Sequence, residues 1–399
     1  MTGVFDIEEN CNGLKDIIAI IYTAAISCSL NYKGHKCLAP EIVKKKPLRL
    51  ALIASERTIS EYSIVFQHLL VGLADESIPV ALICPPSFNP ASVFTGTAEI
   101  IIHPAFNLPL MDHVNVKLLV EQLVKFEPTI IHCLCESKAL LAKQLAHQLD
   151  LPYVLTVNSL QRRWRRLSIS PKYCTRIVVP SKTVAENMIS VYPQFADRVQ
   201  QINMGTFVIP GSRCFSDPSR LATMVMAGPM KMADDVEILL NVIRHLLMDG
   251  YEFMAVIVGG GRAERQLWKL LDALGLLKIV TIVPNQLSWL SVLAAADIFI
   301  QPRPNYAFNP VLLQAMSIGA AVAACAGGVD DLIIDEQTAV VFDPYDEMSI
   351  MRTLQRLLDR REFARQIAKN GQQYLRENHS VSNMVSATLT VYSEQFDID

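Results

Sequence analysis

Short, almost wholly apolar runs separated by helix-length amphipathic stretches constrain this chain more than any other feature. From Pro47 onward, Arg49–Ala54, Pro79–Cys84, Glu99–His103, Thr129–Leu134, Tyr153–Val157 and Arg176–Pro180 read as strands. Apolar residues at helical spacing fill Ser60–Asp75, Val114–Phe126 and Lys138–Leu149, and a further helix starts at Lys182. A strand apolar on both faces must be covered on both faces, and helices between successive strands make the sheet parallel. The pattern then restarts, with strands at Ala222–Ala227, Phe253–Val258, Ile279–Val283, Asp297–Gln301, Ala320–Ala324 and Val340–Phe342. Helices are expected to begin near Ala233, Arg262, Leu287, Asn309 and Met348. Two doubly wound α/β domains follow, and the 399 residues suffice at roughly 100–200 per domain.

The boundaries read as an N-terminal extension over 1–46, a first domain over 47–205, a second over 206–380 and a helix over 381–399 returning to the first domain. Gly205–Arg220, rich in Gly, Pro and Ser, reads as the linker. Two such domains place their ligand crevice between the C-terminal ends of their strands. Within the extension, Ile17–Leu30 is uncharged and mostly apolar but shorter than the about 20 residues that a membrane span needs. It reads either as a helix packed on the fold or as one lying in a membrane interface, with Lys44, Lys45 and Lys46 after it.

A net charge of −3 argues against a dedicated nucleic-acid binder. The nine cysteines are odd in number and mostly embedded in apolar runs, the usage of buried free thiols rather than of a disulfide framework. Asp6, Glu8 and Glu9 leave no positive n-region for a signal peptide, so the expected location is the cytoplasm, or the inner face of the membrane as a peripheral protein.

The second half carries four motif blocks: Val256-Ile-Val-Gly-Gly-Gly-Arg262, Asp297-Ile-Phe-Ile-Gln-Pro302, Phe308-Asn-Pro-Val-Leu-Leu-Gln-Ala-Met-Ser-Ile-Gly319, and the run from Ala326-Gly-Gly-Val-Asp-Asp331 to Pro344. In their order and spacing they resemble glycosyltransferase family 4. In the first half, Pro128-Thr-Ile-Ile-His-Cys133 and Ile202-Asn-Met-Gly205 resemble it more weakly. The resemblance implies a GT-B fold, two Rossmann-like domains facing across a cleft. It also implies sugar transfer, with retention, from a nucleotide-sugar donor on the C-terminal domain to a glycan or lipid acceptor on the N-terminal one. It implies no metal and no resident cofactor, the nucleotide sugar being a substrate.

In such a site, negative charge growing on a nucleoside diphosphate leaving group must be met by cations and a helix N-terminus. This chain departs from the family at those points. Pro229 and Asp234 stand where the family has Arg and Lys, with Lys231 between them. Tyr306 and Gln314 fall on the two glutamates, Asn309 on a glycine, and Asp330 and Asp331 on Pro and Glu. Ser55-Glu-Arg-Thr-Ile-Ser60 replaces a glycine-rich loop, and Asn158 an acceptor-side histidine. A catalytically inactive member acting as scaffold or regulator is the alternative to an active transferase. A dinucleotide enzyme using the Gly259 turn is a third reading, opposed by the lack of a G-x-G-x-x-G spacing.

The candidate catalytic residues are His132, Tyr306 and Gln314; His132 either lines the cleft or is a hydrogen-bonded core residue. Donor contacts are expected from Lys231, Gly259, Gly260, Gly261, Arg262, Gln314, Gly327 and Gly328, with Arg265 nearby; a turn without ligand, or a solvated helix face, is the competing reading of the glycines and arginines. Cys133, Cys135 and Glu136 beside His132 have no second pair at metal-ligand spacing. Arg162, Arg163, Arg165 and Arg166 around Trp164 suit phosphate groups, including anionic lipid headgroups, or form an exposed helix with no ligand.

Overall fold

A computed structural model of the chain describes residues 47–89, 96, 98–102, 112–164, 166–211, 213–227, 236–259, 263–283 and 289–394. The apolar runs form two parallel sheets. The first contains β1 (Leu50–Ile53), β2 (Val80–Cys84), β3 (Glu99–Ile102), β4 (Ile130–Cys133), β5 (Tyr153–Thr156), β6 (Cys174–Val179) and β7 (Val199–Gln201), in the order β3-β2-β1-β4-β5-β6-β7. The second contains β8 (Ala222–Ala227), β9 (Phe253–Val258), β10 (Val280–Val283), β11 (Ile298–Gln301), β12 (Ala321–Cys325) and β13 (Val340–Phe342), in the order β10-β9-β8-β11-β12-β13. In both, the order reverses beside the first strand, between β1 and β4 and between β8 and β11, which is where a doubly wound sheet opens a crevice.

The pattern expected from sequence holds, with local differences. Ser60–Asp75 is two helices, Glu56–Ser60 and Ser63–Asp75, because Ser55 and Thr58 form a capping box that starts a separate first turn. β7 is short and only partly buried, so its hydrophobic signal is weak. The region read as a linker is tied down: Thr206 N donates to His379 O at 2.8 Å, Ile209 N to Ser317 O at 3.0 Å and Cys214 N to Gly319 O at 3.2 Å. Gly205 is required there, since a Cβ would lie 2.6 Å from Val381 Cα.

The helix Val381–Ser393 packs on Ser63–Asp75, with Val385 seated on Gly72, and Arg176 pairs with Glu394 at 3.0 Å. One apolar cluster runs from the first sheet through Tyr62, Phe308 and Leu312 to Val225, Phe299 and Val322 of the second. The other face of that second sheet, including Met224, Ile298 and Ala323, has its own cluster. The space between the domains is therefore partly core.

Candidate active site

The carboxyl ends of β1, β4 and β5 meet those of β11 and β12 along a seam, and the seam is hydrogen-bonded through the main chain. Phe308 N donates to Asn158 O at 2.9 Å, Leu160 N donates to Tyr306 O at 2.8 Å, and Ser159 pairs with Ala307 as an antiparallel bridge. Tyr62 Oη donates to Phe308 O at 2.9 Å, and Thr183 N donates to Asp331 Oδ1 at 3.0 Å. Glu136 supports the N-terminal side, accepting from Asn158 N at 3.2 Å and from Ser159 Oγ.

Among the described residues on the C-terminal side, the helix-N-terminal and Gly327 amides that suit an anion are already engaged. Asn309 caps the helix Pro310–Ser317: its Oδ1 accepts from Val311 N at 3.1 Å and Leu312 N at 3.2 Å. Its Nδ2 donates to Gln301 Oε1 at 2.8 Å, which holds the side chain in that position. A glycine here would leave both amides open, and such amides are an anion site. Gly327 N likewise donates to Asp330 Oδ2 at 2.8 Å. Gly328, at φ +75, lies so close to the Asn305 carbonyl that no Cβ fits, and Val329 N donates to that same oxygen at 2.6 Å. Gly327 and Gly328 thus build a tight turn around a side chain of their own loop.

The candidate catalytic residues are not gathered in one place. His132 is 2% exposed, with Nδ1 2.6 Å from Tyr392 Oη and Nε2 2.8 Å from Thr156 Oγ1. Burial lowers its pKa to about 3, so the ring is neutral. In this conformation it is a hydrogen-bonded core residue and does not face the cleft, which corrects its assignment as a catalytic candidate. Gln314 is buried, with Nε2 donating to Thr206 Oγ1 at 3.0 Å and Oε1 facing Ser317 Oγ. Tyr306 is 61% exposed beside the seam. Gly259 has φ +102, and its N donates to Val283 O at 2.9 Å, so this amide belongs to the sheet. Arg265 is exposed at the start of the helix Glu264–Ala273. Pro229, Lys231, Asp234, Gly260, Gly261, Arg262 and the segment Ile17–Leu30 lie outside the described residues.

Arg162, Arg163, Trp164 and Arg166 are exposed, Trp164 by 76%, and Arg162 sits over its ring at 5.8 Å. They occupy a turn and loop rather than a helix; Arg165 is outside the described residues. The structure adds residues that sequence reasoning missed. Arg303 follows β11 at the carboxyl end of the second sheet and stacks on Tyr345 at 5.2 Å. Arg57, held by Glu61 at 2.6 Å and stacked on Tyr62 at 5.7 Å, fills the loop where the family has glycines. Asn158 Oδ1 and Gln301 Nε2 are buried without a hydrogen-bond partner among the described residues, one on each side of the seam. No group of three His, Cys, Asp or Glu side chains among the described residues is placed to hold a metal ion.

Comparison with known proteins agrees with this architecture. The family described as "Glycosyl transferases group 1" matches residues 217–374, and "Glycosyltransferase Family 4" matches residues 63–206. The chain is similar to sulfoquinovosyl transferase SQD2 of Arabidopsis thaliana, 24% identical over 90% of this chain and 75% of the relative. It is also similar to D-inositol 3-phosphate glycosyltransferase of Salinispora tropica, 29% identical over 55% of this chain and 51% of that protein. Among solved structures, sucrose-phosphate synthase of Thermosynechococcus elongatus superposes with a TM-score of 0.72 at 19% identity, over 88% of this chain and 100% of the other. Anabaena HepE in complex with UDP-glucose gives 0.72 at 14% identity, over 87% and 100%.

Proposed function

Because the chain belongs to the group 1, family 4 glycosyltransferases of GT-B fold, we propose that it descends from an enzyme transferring sugar from a nucleotide-sugar donor and is now a non-catalytic member acting as a scaffold or regulator. The observation that carries this reading is the Asn309 carboxamide on the Val311 and Leu312 amides. Open amides at a helix N-terminus suit a diphosphate, and here a side chain held by Gln301 already takes them. Pro229, Asp234, Tyr306 and Gln314 remove charge around the same ligand, and Asp234 reverses its sign.

The test is calorimetric titration of the purified protein with UDP, GDP, ADP and their sugar conjugates, alongside an assay of donor hydrolysis. Silence across the panel is the expected result. Pro229→Arg combined with Asp234→Lys should then raise nucleotide binding sharply, revealing a vestigial pocket; micromolar binding by the unmodified protein overturns the reading. That outcome would favour a second one, a retaining transferase acting on a glycan or lipid acceptor. Support for it comes from the likeness, over 90% of this chain, to a sulfoquinovosyl transferase and from a neighbour bound to UDP-glucose.

Either reading accommodates contact with an anionic membrane through Arg162, Arg163, Arg165 and Arg166, with Trp164 among them. No described helix is long and apolar enough to cross a membrane. Sedimentation with anionic liposomes should fall when the four arginines are replaced by Ala, and unchanged sedimentation counts against the contact.

A further inference from the structure

Strand β4 runs out into Cys133-Leu-Cys135 at the carboxyl edge of the first sheet. The two thiols are not equivalent. Cys133 is fully buried and donates through Sγ to the Cys135 carbonyl at 3.1 Å. Cys135 is 6% exposed, with an extended backbone at φ −158 and ψ 145, and residues two apart in an extended run share a face. Ser137 Oγ donates to the Cys135 sulfur at 3.4 Å. The next residue, Glu136, grips Asn158 N and Ser159 Oγ, on the segment after β5 that is hydrogen-bonded to Tyr306 and Phe308 across the seam.

From this geometry we infer that Cys135 and Cys133 form a hydroperoxide-sensitive dithiol whose oxidation to a disulfide loosens the hold of Glu136 on the seam. The neighbouring Cys133 side chain, with those of Ser137 and Ser55, lowers the Cys135 thiol to about 6, while burial raises Cys133 well above the ordinary thiol value. Burial raises Cys84, Cys174, Cys214 and Cys325 to about 12, which leaves Cys135 as the nucleophile among the described cysteines.

In the first step the Cys135 thiolate attacks one oxygen of the hydroperoxide. An S–O bond forms, the O–O bond breaks, and the other oxygen leaves as hydroxide or alkoxide and is protonated. The Cys133 sulfur then attacks the Cys135 sulfur: the S–S bond forms, the S–O bond breaks, and the thiol proton leaves with the hydroxyl as water. Two thiols lose two electrons in total, and the peroxide gains them. The product has no S–H to place on the Cys135 carbonyl, and its bridge draws the two Cβ atoms to about 3.8 Å. The Cys135 to Lys138 turn must shift, and the Glu136 carboxylate moves with it.

The test treats the reduced full-length protein with hydrogen peroxide and maps its peptides without reductant. The peptide holding residues 133–135 should lose two hydrogens before any other cysteine reacts. Cys133→Ser should stop at a Cys135 sulfenic acid trapped by dimedone, and Cys135→Ser should form neither product. Amide exchange at Leu160 and Phe308 should be roughly tenfold faster in the oxidised protein. Glu136→Gln should reproduce that acceleration under reducing conditions, whatever becomes of the cysteine variants. Earlier oxidation of another cysteine, or sulfenic acid without a disulfide in the unmodified protein, overturns the dithiol. Seam amides exchanging equally in both redox states overturn its coupling to the seam. None of these readouts depends on donor binding, so the proposal stands or falls separately from the reading of the donor site.

Discussion

His132 Nδ1 lies 2.6 Å from the hydroxyl of Tyr392, a residue 260 positions further along the chain. With Thr156 on its other nitrogen, the imidazole is fully engaged and fastens the helix Val381–Ser393 to the first sheet. The pairing accounts for a histidine inside an otherwise apolar strand without any contact to substrate.

Tyr392→Phe removes only the hydroxyl and leaves one buried ring nitrogen unpaired. The expected loss is about 1–3 kcal/mol of unfolding free energy, the cost of an unsatisfied buried polar group. Urea denaturation should show a lower midpoint with an unchanged slope. No shift in midpoint would mean that the nitrogen finds another partner.

Stability should fall on acidification. His132 is held neutral down to about pH 3 in the folded chain, whereas an unfolded histidine takes up its proton near 6.5. Between those values the unfolded state binds the extra proton, so this group's penalty is absent above pH 6.5 and grows as pH falls through the window. The slope is at most about 1.4 kcal/mol per pH unit for one such group. Burial also lowers His68 and His379, which act in the same direction. Denaturation free energies at neutral pH and near pH 5 measure the effect, and a flat profile contradicts it.

Asn309→Gly removes the cap of the helix Pro310–Ser317 and strands the Gln301 amide. A loss of about 1–2 kcal/mol is expected, mostly from the stranded Gln301 amide, because Gly in place of an Asn cap costs only a few tenths. The same change opens the Val311 and Leu312 amides, so inorganic pyrophosphate or UDP should bind the variant more tightly than the parent. Equal affinity in calorimetry would show that the amides are not reached from the cleft.

Two glycines separate backbone strain from crowding. Gly211 has φ +80 with open space around it, so Ala costs only the left-handed conformation, about 1–2 kcal/mol. At Gly328, φ +75, the added Cβ also meets the Asn305 carbonyl, and the loss should be clearly larger. Thermal midpoints of the two variants give the ranking, and equal losses would show that the Asn305 loop yields freely.

Asp297 is 1% exposed and accepts from Phe215 N at 2.7 Å, Thr223 N at 2.8 Å and Arg220 Nη2 at 2.8 Å. Asp297→Ala should cost about 3 kcal/mol, near the low end for breaking a buried pair, since the Arg220 side chain is itself 34% exposed. A loss below 1 kcal/mol would mean that water replaces the carboxylate.

Much of the fold is legible in the sequence because the periods that produce it are local. Runs such as Leu50–Ile53 and Ile298–Gln301, repeated between helix-length stretches, read as strands covered on both faces, and the order of the motif blocks carries the family. The substitution of a glycine by Asn309 is equally visible. Its consequence is not, because the carboxamide could have pointed to solvent; tertiary structure sets it on two amides by placing Gln301 at its other end. His132 is the clearest case of the same limit. Nothing near it in sequence says whether its ring meets solvent, ligand or core. That depends on Tyr392, whose approach is decided when the last helix packs on the first sheet. Strand and helix follow from neighbours within a few positions, while the occupant of a hydrogen-bonding group is settled by residues that only the folded chain brings together.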